Sequence, residues 1–184
     1  MKGFCRDNLL FSLCGLNCGL CPMHLGGYCP GCGGGDGNQG CTIARCSLKH
    51  DRVEYCFQCV EFPCDKYDGI EEYDSFIIHR NQKSDLRKAA DIGIDGYNAE
   101  QLEKIKILKY LLQNYNDGRR KTFFCAAVNL LDLNVIKDII RKIDDNEEAD
   151  NLTIKDKAVY AAGLFQLAAE NENIELKLRK KSNK

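Results

Sequence analysis

Apolar positions take on regular spacing only in the later two thirds of the chain. Between residues 14 and 64 no helical period of useful length runs, and Gly26, Gly27, Gly31, Gly33, Gly34 and Gly35 mark a succession of turns. Such a segment has little apolar area to bury, so it needs a staple other than a hydrophobic core. Beyond it the spacing becomes helical. Residues 71–79 predict a short helix, and 84–92 a second one with Ser84 as N-cap and Gly93 as a left-handed stop. Residues 98–115 form the clearest helix, with Leu102, Ile105, Leu108, Leu112 and Tyr115 at intervals of three and four. Residues 121–130 fit either a buried strand or a helix, and their β-branched and aromatic content favours the strand. Ile136, Ile139, Ile140 and Ile143 give an amphipathic helix over 134–143, and the acidic run 144–150 a solvated linker. Thr153 with Asp156 opens a last helix to Ala169 as a capping box, and the alternation of Ile174, Leu176 and Leu178 with charged residues predicts a final strand.

Composition sharpens this division. Of 184 residues 12 are cysteine, and all but Cys125 precede residue 65. The expected fold class is therefore α+β: an irregular, cysteine-rich, metal-stapled N-terminal module over 10–67, then a mainly helical region over 68–184 with a small C-terminal sheet. A net charge of -1, evenly spread, gives no polycationic surface, so nucleic acid is not an expected partner. No stretch approaches the length of a membrane span, and the apolar run at residues 9–13 is short, follows Asp7 and lacks a cleavage site. A cytoplasmic location is expected, and there dense cysteines stay reduced and hold metal rather than form disulfides.

The spacings support that chemistry. Cys18/Cys21, Cys29/Cys32 and Cys56/Cys59 are CxxC pairs, a turn that presents two thiolates to one ion with backbone N–H groups directed at the sulfurs. Cys14 stands four residues before Cys18, Cys41 and Cys46 are five apart, and Cys64 follows Cys59 by five. Zinc in structural sites takes four ligands, so these ten cysteines fill about two sites with two to spare, or one single site and a thiolate-bridged pair. His24 and His50 are further candidate ligands, although neither has a second histidine at ligand spacing. An iron–sulfur cluster is the alternative cofactor, since Cys14-x3-Cys18-x2-Cys21 matches a cluster-binding spacing and Cys-only ligation suits either metal.

Cys14-Gly15-Leu16-Asn17-Cys18-Gly19-Leu20-Cys21-Pro22, Gly31-Cys32, Cys41-Thr42-Ile43-Ala44-Arg45-Cys46 and Cys56-Phe57-Gln58-Cys59-Val60-Glu61-Phe62-Pro63-Cys64 together resemble the cysteine-rich family called domain of unknown function 3795. The segments at 73–80 and 118–125 are similar to a longer branch of that family with a helical C-terminal extension. The resemblance implies a metal-binding cytosolic protein and names no reaction. It also raises the standing of Cys125, otherwise a small core residue, as a reactive thiol with Arg119, Arg120 and Lys121 near it in sequence.

Three classes of function follow. A zinc module presenting the helical region to a protein partner is the main expectation. An enzyme of redox or sulfur chemistry, with Cys125 as nucleophile beside a cluster or zinc thiolate, is the alternative. A nucleic-acid-binding zinc protein using Arg119, Arg120, Lys121, Lys155, Lys157 and the tail residues Lys177, Arg179, Lys180, Lys181 and Lys184 is the third. No phosphate-binding glycine loop or Ser-His-Asp signature is present, and His79 reads as a helix-face residue. The sequence does not set the oligomeric state.

Overall fold

In the computed structural model, which describes residues 3–35, 40–146 and 151–181, every regular element is helical. The chain forms two compact units, Met1–Leu102 with Leu178–Lys184, and Glu103–Lys177. The first extends well past the composition step at residue 67, because its core joins the cysteine-rich segment to the helices that follow. Among its described residues, no helix of the chain is long and apolar enough to cross a membrane.

In the first unit, helix α1 (Pro22–Leu25) starts with Pro22, whose missing N–H costs nothing at a helix N-terminus. Helix α2 (Thr42–Ser47) is capped by the Cys41 side chain, which accepts from the Ala44 N–H. Single 3-10 turns at Cys18–Leu20 and Cys56–Gln58 shape two of the CxxC pairs, the second cysteine of each donating its N–H to the carbonyl of the first at 3.0 Å. Helix α3 (Gln82–Ile92) and the start of α4 (Ile94–Asn114) complete the unit. Its core is aromatic: the Phe11 ring lies 5.5 Å from that of Tyr55 and 4.5 Å from that of Tyr97. Arg6 lies over Tyr55 and donates to the carbonyls of Asn8, Phe11 and Glu54, which satisfies a buried guanidinium.

Two residues inside the Cys14–Cys18 turn fasten it to α3. Gly15 has φ +93°, and a Cβ there would overlap the Gln82 carbonyl oxygen. Asn17, 3% exposed, donates to the Asp85 carboxylate at 2.9 Å and accepts from the buried Tyr97 hydroxyl at 3.0 Å. The turn therefore carries both the cysteines and the contacts that position them.

The second unit holds most of α4 with α5 (Lys121–Leu130), α6 (Leu133–Asp144) and α7 (Ile154–Asn171). Asp132 caps α6, and Thr153 caps α7 by accepting from the Asp156 N–H, as the sequence predicts. Phe124 of α5 meets Phe165 of α7 edge to face at 5.9 Å. Lys104, almost fully buried, donates to the Leu131 carbonyl at 2.8 Å, giving a partner to an orphan group beyond the end of α5.

The expected α+β class is overturned, for there is no strand among the described residues. Residues 121–130 are helical, and the six consecutive residues from Phe124 to Asn129 are all buried. A helix covered on every side shows a continuous apolar run rather than a 3.6-residue period, which is why it resembles a buried strand in sequence. At 174–179 the alternation is reflected in burial, with Leu176 inward and Glu175 and Lys177 outward, but the chain bends at Lys177 and no strand forms. The segment is held by Asp74, whose N–H donates to the Arg179 carbonyl and whose carboxylate accepts from the Arg179 N–H.

Residues 71–79 are turns, not a helix, because the Asp74 carboxylate takes the His79 N–H at 2.7 Å and competes with helical bonding. Helix α3 begins at Gln82, so Ser84 lies in its first turn, donating to the Asn81 carbonyl. Gly93 leaves α3 with φ 80° and ψ 151°, a positive-φ stop outside the αL region, and α4 starts at once, four residues before the expected Asn98. The acidic run 144–150 begins as the end of α6, where Asp144 accepts from Tyr110; residues 147–150 lie outside the described residues.

Replacing Gly15 by alanine is expected to lower unfolding free energy by about 3 kcal/mol, through overlap with α3 and the positive φ. Gly27→Ala, at φ +74° with open space around it, is expected to cost about 1 kcal/mol. Denaturant unfolding of the two variants checks the difference, and equal losses would show that the turn does not bear on α3.

Candidate metal centre

The ten candidate cysteines from Cys14 to Cys64 all lie in the first unit, most of them half-buried. They divide into two groups by their surroundings. In the first, Cys14 is oriented by a tight turn in which the Ser12 N–H donates to the Leu16 carbonyl, the Leu16 N–H donates back to the Ser12 hydroxyl, and that hydroxyl sits 3.3 Å from the Cys14 sulfur. Cys18 follows on its 3-10 turn and accepts a backbone N–H from Cys32. Cys32 is delivered by Gly31, at φ +97° against the Leu9 carbonyl, and its sulfur accepts from the Leu13 N–H and from Arg6. Cys14 and Cys32 lie within electrostatic range of each other and of both Cys18 and Cys41, and Cys21 lies within range of Cys18. Cys29 stands three residues before Cys32, and its carbonyl accepts from His24 Nδ1 at 2.9 Å.

The second group comprises Cys46 on α2, Cys56 and Cys59 on their 3-10 turn, and Cys64 after the cis Phe62–Pro63 bond. All four line a recess that opens to solvent, together with His50 and Tyr67. Cys56 lies within electrostatic range of Cys46 and Cys64, and also of Cys14 in the first group. The Tyr67 hydroxyl lies between the groups: it donates to the Cys14 carbonyl at 3.3 Å and contacts the Cys56 thiol. His50 Nδ1 is 3.9 Å from the Cys59 sulfur.

Burial dominates the chemistry of these thiols. It pushes Cys14 up to about 11 and Cys56 up to about 12, and raises Cys18 and Cys32 as well, with neighbouring cysteines adding to the shift. At neutral pH such thiols stay protonated and are poor nucleophiles. A bound divalent cation inverts that preference, because its charge favours the thiolate more than burial opposes it. The donor set, sulfur with one nearby imidazole, suits a borderline or soft cation. Among the described residues no three Cys, His, Asp or Glu side chains converge into a ready-formed ligand set, so the grouping rests on shared surroundings and electrostatic range.

Other candidates lie elsewhere. Cys5 is exposed and outside both groups. Cys125 is on α5 in the second unit, 3% exposed within the packed stretch from Phe124 to Asn129. His79 is bonded to Ser75 at 2.9 Å and held below its ordinary pKa by burial. Ligand spacing did not point to Arg6, Tyr67 or Gln82, which support the cysteines; Gly15 and Asn17, inside the first motif, were the visible signal. The chain matches no family model, no curated protein and no solved structure.

Thiols that keep their protons above the ordinary value of 9.0 make the folded chain bind more protons than the unfolded one in alkaline solution. Stability contributed by those protons is complete below about pH 9 and is lost as pH rises toward about 11, the Cys14 value. The buried hydroxyls of Tyr67 and Tyr97 act with the same sign. Chelator-treated, fully reduced protein is expected to melt at progressively lower temperature across that window; a flat or rising profile would contradict the burial assignment.

Proposed function

We propose that the chain is a metal-binding protein holding about two zinc ions in its first unit. One site draws on Cys14, Cys18, Cys21, Cys29, Cys32 and Cys41, the other on Cys46, Cys56, Cys59 and Cys64. The observation that carries this reading is the gathering of the cysteines into two neighbouring groups, with burial raising the thiols of Cys14, Cys18, Cys32 and Cys56 so that a cation would favour their thiolates. Zinc, when bound, supplies that charge and ties segments distant in sequence. The chain's own part is to orient the sulfurs through Ser12, Gly31 and Tyr67 and to hold the first group against α3 through Gly15 and Asn17.

The resemblance to domain of unknown function 3795 agrees with this reading, as does a cytoplasmic setting in which thiols stay reduced. The role we assign is that of an interaction module for a protein partner. Tyr28 and Val60, beside Cys29 and Cys59, are exposed apolar residues at the tips of cysteine turns and offer contact points. An enzyme built on Cys125 draws no support from a thiol so deeply packed, and the even charge of the two parts of the chain does not favour nucleic acid.

Protein purified without oxygen is expected to carry about two zinc ions per chain and no visible absorbance. Replacing Cys56 and Cys59 together by serine is expected to remove about one ion. Brown protein with iron and acid-labile sulfide would overturn zinc in favour of the cluster alternative; colourless protein without metal would overturn both.

A further inference from the structure

The recess formed by the second group is lined by four cysteines together with His50 and Glu61, more potential donors than a tetrahedral ion takes. With zinc–sulfur and zinc–nitrogen bonds of about 2.3 and 2.0–2.1 Å at a tetrahedral angle, two ligands of one ion lie about 3.5–3.6 Å apart. The 3.9 Å between Cys59 Sγ and His50 Nδ1 falls within a few tenths of an ångström of that edge.

The backbone supplies a second observation. Immediately after His50, Asp51 and Arg52 both adopt left-handed conformations, with φ 52° and 55°, although neither is glycine. Two such residues in succession are unfavourable and persist where the surrounding structure over-determines them, which is often at binding sites. Here they form a sharp reversal, with the Arg52 N–H donating to the Ser47 carbonyl at 2.9 Å and the Val53 N–H to the His50 carbonyl at 3.2 Å. The reversal immediately follows a histidine that lines the recess beside the cysteines.

We propose that His50 is a ligand of the second site, binding through Nδ1 beside Cys59, so that the ion there is held by one nitrogen and three sulfurs. Of Cys46, Cys56, Cys59 and Cys64, one is then not required for coordination and is available to exchange. His24 does not line this recess and so serves as the comparison residue. The inference rests on the metal reading above and goes beyond it in naming a nitrogen donor, hence a site that accepts borderline divalent cations such as zinc or cobalt(II).

Cobalt(II) reports ligand type through its visible bands, which move to longer wavelength as sulfur replaces nitrogen. The full-length chain, stripped and reloaded with cobalt(II) without oxygen, is compared with its His50→Ala, His50→Cys and His24→Ala variants. His50→Cys is expected to keep the wild-type stoichiometry with bands at longer wavelength and a stronger sulfur-to-metal charge-transfer band. His50→Ala is expected either to show the same shift, as the fourth cysteine takes the vacant position, or to lose about one ion per chain. His24→Ala is expected to match wild type. Wild-type spectra and stoichiometry in both His50 variants would overturn the assignment while leaving the metal reading intact. Failure of the unsubstituted chain to bind cobalt(II) or zinc would overturn the metal reading, and this inference with it.

Discussion

Between Cys14 and Cys18 the chain passes so close to the first turn of α3 that no side chain fits at Gly15, and the Asn17 amide reaches both the Asp85 carboxylate and the Tyr97 hydroxyl. The rest of the first unit depends on this contact. A segment with so few aliphatic residues cannot gain enough from burial to order itself, since fixing each residue costs on the order of 1–2 kcal/mol of backbone entropy. It gains instead from docking on a helical surface, with Phe11 beside Tyr55 and Tyr97 as the apolar anchor. The polar contacts are satisfied in the same place: Arg6 and Asn8 occupy carbonyls and N–H groups of the N-terminal loop that would otherwise be buried unpaired.

Docking in this way also buries sulfur. Cys14 and Cys56, one from each cysteine group, lie within electrostatic range of each other and share Tyr67 as a neighbour. Neutral thiols there pack as small apolar groups, whereas thiolates would repel one another in a poorly solvated setting. The fold therefore suits two situations, protonated thiols or thiolates around a cation, and disfavours a lone reactive thiolate. This electrostatic constraint is the main physical reason for preferring a structural metal role over thiol catalysis. On the proposed reading, the binding energy of the metal is part of the folding energy of the segment.

Much of this was legible in the sequence. The cysteine spacings marked the segment, the glycines marked its turns, and the regular apolar periods located α6 and α7 to within a few residues of their observed ends. The failures have a common cause in tertiary context. Helix α5 is buried all round and so lost its period, and 174–179 carries a strand's alternation without a second strand to pair with. The composition step near residue 67 suggested a boundary, yet Leu86, Ala89 and Tyr97 complete the core of the cysteine-rich segment, so the unit continues to Leu102. His50 was visible as a residue type but not as a neighbour of Cys59; only the left-handed pair after it brings the chain round, and nothing in Asp51-Arg52 announces that conformation.

Amide hydrogen exchange, resolved along the chain before and after treatment with a chelator under reducing conditions, tests whether metal holds the cysteine segment on its helical support. The account predicts that the amides of Ser12, Gly19 and Cys56, which bond to Leu16, Leu10 and Leu13, lose protection when metal is removed, while α6 and α7 exchange as before. Unchanged protection at those three amides in protein shown to have lost its metal would contradict it.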